Sequence, residues 1–296
     1  MKRIETKRIE TKSLVMILLS MIIWGSVGLF RRFIPLPSAV LACCRGIIGT
    51  LFLIVFVKVQ GKRLFSPLEK RQIFLLILSG AVMGVNWILL FEAYRYTTVS
   101  VATLCYYMAP TIVILLSPLL FQEKITLRKG ICALLAVIGM VFVSGVIESG
   151  IPESSGIKGI LFGLGAAVLY ACVVIINKKT PGIDPYEKTT IQLAASAAAL
   201  IPYLIFTGES IPADLPGQAV VMTLIVGLVH TGIAYAMYFS SVDGLPAQTV
   251  AILSYIDPIT ALILSALVLH EQMSVFGIVG SVLIIGAALV SEMGDQ

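Results

Sequence analysis

Four ionisable side chains, Arg45, Glu92, His230 and Asp257, stand inside or at the edge of long apolar stretches. A charge at mid-membrane costs at least about 2.5–3.5 kcal/mol on insertion scales, so such a residue tends to face a cavity or a partner and is by default a functional candidate. Arg45 can take the carboxylate end of a zwitterionic solute and Asp257 its ammonium end. Counted from opposite ends of their apolar runs, they lie roughly 11 Å and roughly 15 Å deep in a core of about 30 Å, so their levels differ by roughly 4 Å. A salt bridge between them is the competing, purely structural reading. Glu92 has Arg95 three residues on and reads as a solvated interfacial charge. His230 suits a proton relay, imidazole having an unperturbed pKa near about 6.5; the plainer alternative is a bond to a neighbouring helix.

The apolar runs also carry aromatic and amide side chains: Trp24, Asn86, Trp87, Tyr107, Tyr170, Tyr235 and Tyr255. Such residues can line a site that stacks on planar or cationic solutes, or can simply pack. Pro110 and Pro258 fall deep in apolar runs, where each removes a backbone donor and frees a carbonyl, so kinks are expected; they read as a hinge or cavity-lining break at matched positions, or as a static kink for packing. Other chemistries lack their residues. His270-Glu271 opens an HExxH pattern, but position 274 is Ser, so no metal is expected. GSVG at 25–28 is not the GxSG of an intramembrane serine protease, and no GxxxxGK[ST] phosphate loop exists. Cys43, Cys44, Cys105, Cys132 and Cys172 all lie in apolar runs without CxxC spacing and read as small packing residues. Neither an enzyme nor a cofactor is expected.

The elements that must position these residues are set by composition. Of 296 residues 58% are hydrophobic and 12% charged, against about 25% charged in an average soluble domain. The apolar residues come in runs long enough for a helix to cross about 30 Å of hydrocarbon. Ten spans are predicted, near 13–33, 38–57, 71–91, 99–121, 128–147, 157–176, 186–206, 218–239, 247–269 and 274–291. The basic opening MKRIETKRIETK resembles a signal-peptide flank, but the run after it is too long for a signal core and lacks an A-x-A site, so it reads as a first span. The net charge of +5 reflects basic residues at span ends, which argues against a nucleic-acid partner.

With the N-terminus inside, sixteen Lys and Arg fall on the cytoplasmic side (tail, Lys58 to Arg71, Lys124 to Lys129, Lys178 to Lys188). Four fall outside: Arg31, Arg32, Arg95 and Lys158. Both termini are therefore expected in the cytoplasm. Laying the chain on itself at an offset of 148 pairs Phe91 with Phe239, Tyr107 with Tyr255, Pro110 with Pro258, Glu123 with Glu271 and Trp87 with Tyr235; a nearby offset pairs Trp24 with Tyr170. Five spans per half is odd, so the halves must insert in opposite senses, the inverted-repeat plan of many secondary transporters. The predicted organisation is a basic tail (1–12), a first five-helix repeat (13–147), a linker (148–156), a second repeat (157–291) and a short C-terminal tail (292–296). Small residues along spans 5 and 10 (Gly130, Ala133, Ala136; Gly277, Gly280, Ser281) read as close helix contacts.

The segment YYMAPTIVILLSPLLFQEKITLRKGICALLAVIGMVFVS at 106–144, its second copy at 255–291, the Trp24-Gly25 pair and Arg45 in ACCRGIIGTLFL resemble the membrane repeat of EamA-like transporters of the drug/metabolite transporter superfamily. The resemblance implies a ten-helix bundle around a central cavity and a solute such as an amino acid, nucleobase, nucleotide sugar or organic cation. Span 1 has none of the acidic residues that couple drug and proton in the small multidrug exporters of that superfamily.

Together these observations predict an all-α membrane protein of two inverted five-helix repeats. The leading function is export of an amino acid or similar small polar metabolite across a bacterial-type inner (cytoplasmic) membrane, by alternating access. The alternatives are uptake or exchange of an organic cation or nucleobase and, from other classes, a non-transporting scaffold or an intramembrane enzyme. Lipid and the small-molecule substrate are the partners; substrate identity, direction, proton coupling and oligomeric state stay open.

Overall fold

In the computed structural model, residues 2–61, 67–121, 126–149, 154–242, 245, 250 and 253–292 are described. Among them every regular element is helical. Glu123, the repeat partner of Glu271, lies outside the described residues. Helix α1 (Lys2–Gly25) turns at Ser26 into α2 (Val27–Arg32); α3 (Ser38–Val59) comes after Pro37. The chain continues through α4 (Lys70–Tyr96), α5 (Val99–Tyr106), α6 (Ala109–Phe121), α7 (Leu127–Val143), α8 (Val146–Ser149) and α9 (Ser154–Lys178). Then come α10 (Pro185–Thr207), α11 (Gly217–Ile225), a π-helical segment (Val226–Ile233), α12 (Ala234–Val242), α13 (Ile256–Leu267) and α14 (Val275–Glu292).

Four helix starts carry polar caps. Glu69 and Gln72 form a reciprocal capping box at α4, Thr98 and Thr126 accept from Val101 and Lys129 amides, and Asp184 caps α10 ahead of Pro185. The helix sides are apolar all round: on α3, Leu53 is fully buried while Leu51 and Val55 on the opposite face are 59% and 60% exposed. Such a helix is stable with lipid, not water, against its outer face. Seven described helices are long and apolar enough to cross a membrane: Thr11–Arg32, Ser38–Val59, Lys70–Tyr96, Val99–Leu116, Ser154–Asn177, Pro185–Thr207 and Gly217–Ser241. Ile256–Leu267 and Val275–Val290 are shorter apolar helices.

The bundle is built on pairs: α4 on α9, α1 on α12 and α13, α3 on α10 and on the π-helical segment, and α7 on α14. Contact without a hydrophobic driving force requires close backbones. At the α7–α14 crossing, a Cβ on Gly139 would fall 2.7 Å from Gly280 O, and one on Gly280 would fall 2.5 Å from Gly139 O. The sequence reading placed Gly280 in such a contact and missed Gly139.

The prolines act differently from a mid-helix kink. The fourth apolar run is interrupted at Tyr107–Met108, and Pro110 lies in the first turn of α6; likewise the chain turns at Tyr255 and Pro258 lies in the first turn of α13. A first-turn proline has no intrahelical donor to lose, so a helix restart satisfies it where a continuous helix would not. The matched positions therefore mark paired helix breaks.

Candidate functional site

A cavity of about 640 Å³ lies between α1, α3, α4, α5, α6, α9, α10, α12 and α13, at the level of the two breaks. Of the sequence-selected residues, Trp24, Arg45, Trp87, Tyr107, Pro110, Tyr170, Tyr235, Tyr255 and Asp257 line it. The salt bridge that geometry permitted is absent: among the described residues neither Arg45 nor Asp257 forms an ion pair. Arg45, 5% exposed, donates from Nε to Thr231 Oγ1 at 3.0 Å, and its Cζ sits 4.1 Å from the Trp87 ring centroid and 5.5 Å from that of Phe91. Asp257 lies on the same wall, with Tyr107 also lining the cavity. The two charges thus face one cavity without pairing.

The remaining wall is aromatic. Trp24 packs against Tyr235 (5.0 Å between centroids) and Tyr238 (5.3 Å), and its indole N–H donates to His230 O at 2.9 Å. Tyr106 packs against Tyr170 at 5.3 Å. Tyr94, Tyr106, Tyr238 and Phe239 also line the cavity and escaped the sequence reading. Tyr238 lies one helical turn from Tyr235, a spacing that places both on one face.

Four candidates lie outside the cavity wall. Asn86 is wholly buried and donates from Nδ2 to Ala166 O at 2.5 Å, tying α4 to α9. His230, 2% exposed, meets Ser26 Oγ through Nε2 at 2.9 Å and the Phe30 ring at 4.7 Å, holding the α1–α2 turn against the π-helical segment. Pro258 is buried and lies outside the cavity wall. Glu92 pairs with Arg95 at 2.9 Å, near the end of α4.

The two ends of the cavity differ. At one, Arg32 bridges to Glu271 Oε1 at 2.9 Å and donates to Thr97 O at 2.7 Å; Glu271 Oε2 accepts from the Val99 amide at 2.8 Å and from Ser265 Oγ, and Ser100 donates to Ser265 at 2.7 Å. These bonds join the α2 end, the start of α5 and the end of α13. His270, with φ of 53°, turns the chain so that Glu271 points back at them. At the other end the lining reaches Asn177, Pro185, Lys188 and Gln192. There Lys188 donates to Thr180 O at 2.7 Å, and Gln192 bonds Asn177 and Ser79, each at 2.7 Å.

Comparison with known proteins agrees with this architecture. The sequence profile of the EamA-like transporter family matches residues 11–145 and again 157–293. An "uncharacterized transporter", YxxF of Bacillus subtilis, is 28% identical over 288 residues, covering 97% of this chain and 91% of its own length. An "uncharacterized inner membrane transporter", YicL of Salmonella typhimurium, is 21% identical over 298 residues, covering 96% of both. A solved crystal structure, 18% identical, superposes with a TM-score of 0.66 over 95% of this chain and 96% of its own, which fixes the fold.

Proposed function

We infer, from the fact that the chain belongs to the EamA-like transporter family and is a multi-pass membrane transporter, that it is a secondary transporter exporting a small zwitterionic metabolite, an amino acid or similar. The observation that carries the substrate class is the separation of Arg45 and Asp257, which line one cavity without pairing. Unpaired charges in a low-dielectric interior are costly, and a solute bearing a carboxylate and an ammonium neutralises both at once.

The architecture proposed is ten spans in two inverted five-helix repeats, with both termini cytoplasmic in the inner membrane. Packing supports it, since exchanging the halves turns the α4–α9 contact into α12–α1 and maps the α3–α10 and α7–α14 contacts onto themselves. The paired breaks at Tyr107 and Tyr255 support it equally. With the basic residues inside, the Lys188 end of the cavity faces the cytoplasm and the Arg32–Glu271 end faces out. The structure then corresponds to the externally closed state of an alternating-access cycle.

A second reading, an organic cation or nucleobase, is favoured by the aromatic wall around Asp257. Flux into proteoliposomes of purified protein distinguishes the two. Amino acids are expected to move, with Arg45→Gln abolishing their flux. Flux confined to quaternary amines or nucleobases and indifferent to Arg45→Gln overturns the zwitterion reading, and absence of flux for every class overturns transport of these solutes.

A further inference from the structure

The π-helical segment Val226–Ile233 has no counterpart in the other half: the repeat-matched residues 78–85 belong to regular α4, and Met83 stands where Thr231 stands. A π turn inserts an extra residue, rotates the helix beyond it, and is frequent at functional sites. Here it sets Thr231. The Thr231 hydroxyl donates to Val226 O five residues back at 3.0 Å, the spacing of a π turn, so its single proton is committed and its oxygen is left to accept from Arg45 Nε. Thr231 is fully buried and pressed onto α3, where a Cβ on Gly49 would fall 2.5 Å from its methyl group.

With Nε occupied and Cζ seated over the Trp87 ring, the Nη edge is the part of Arg45 left for the cavity it lines. That edge matches a planar oxyanion through two parallel N–H donors. We propose that Thr231, presented by the π-helical segment, is a positioning residue that holds the Arg45 guanidinium edge-on to the cavity and so makes this transporter select solutes bearing a carboxylate. The inference rests on the zwitterion reading above and adds the residue that enforces it.

The test uses full-length protein in nanodiscs, labelled with 15N-arginine, the Arg45 side-chain signal being assigned by its loss in Arg45→Lys. Sodium acetate, with acetamide as the uncharged control, is the probe. Wild type and Thr231→Ser are expected to keep one Nε–H position and to respond saturably to acetate and not to acetamide. In Thr231→Val the Nε–H signal moves and the acetate response weakens at least about tenfold, the worth of one charge-assisted hydrogen bond. Thr231→Ala serves if the valine variant does not fold. A Thr231→Val or Thr231→Ala protein that responds like wild type overturns the proposal, as does a wild type blind to acetate. Flux assays separate the two readings: zwitterion flux without an acetate response sinks the positioning role alone. An acetate response that tracks the hydroxyl, without flux, upholds the site and sinks the zwitterion-transport reading.

Discussion

Replacing Glu271 by Gln should release the closed end of the cavity. The carboxylate accepts the Val99 amide at 2.8 Å and pairs with Arg32 at 2.9 Å, with Arg32 and Glu271 side chains 32% and 12% exposed. Neutralising the acceptor lowers a charge-assisted bond to an ordinary one, a loss of about 1 kcal/mol. The partly exposed ion pair contributes about 0.5–1 kcal/mol more. A shift of about 1.5–2 kcal/mol in favour of opening corresponds to roughly a 10–30-fold larger open fraction. Thr103 lines the cavity on this side, so Thr103→Cys in a background with the five native cysteines replaced reports the opening. Its labelling by a membrane-impermeant maleimide added outside the cell should accelerate by about that factor in Glu271→Gln. A folded variant whose labelling rate matches the parent refutes the latch.

Gly25→Ala should act on the same end by sterics, because the new Cβ would overlap Asp257 O and lie 2.7 Å from Thr260 Cβ; external labelling of Thr103→Cys rises and flux falls, whereas normal flux would show that α1 and α13 need not approach so closely. Asp257→Asn should weaken zwitterion binding about 10–150-fold, the range of one charge-assisted bond, read as loss of the ligand-induced rise in melting temperature of otherwise folded protein. Gly280→Leu should lower the melting temperature by overpacking the α7–α14 crossing, at roughly 1–3 kcal/mol or more, while flux per folded molecule is retained; lost flux with an unchanged melting temperature would contradict this.

Hydropathy made depth legible. It placed Arg45 and Asp257 within roughly 4 Å of one another in depth, and both line one cavity, as do the repeat-matched Tyr107 and Tyr255. Hydropathy could not supply azimuth, because helices apolar on every side carry no inward stripe. Asn86 and Trp87 are adjacent and thus about 100° apart on a helix: Trp87 faces the cavity and Asn86 faces α9. The same geometry separates His230, turned to Ser26, from Thr231, turned to Arg45. No residue type announces the π turn that makes this last division. The repeat did mark both positions, leaving a hinge or cavity-lining break and a packing kink both open, because proline alone does not tell a bend from a restart.

Neither α7 nor α14 contributes a side chain to the cavity wall, and the two pack on each other. Selectivity and scaffolding are thereby written in different stretches of the chain. Drift along α7 and α14 tunes expression and durability and leaves the choice of cargo alone, while cargo can be re-specified by a few changes in α3, α4, α9, α12 and α13 upon an inherited frame.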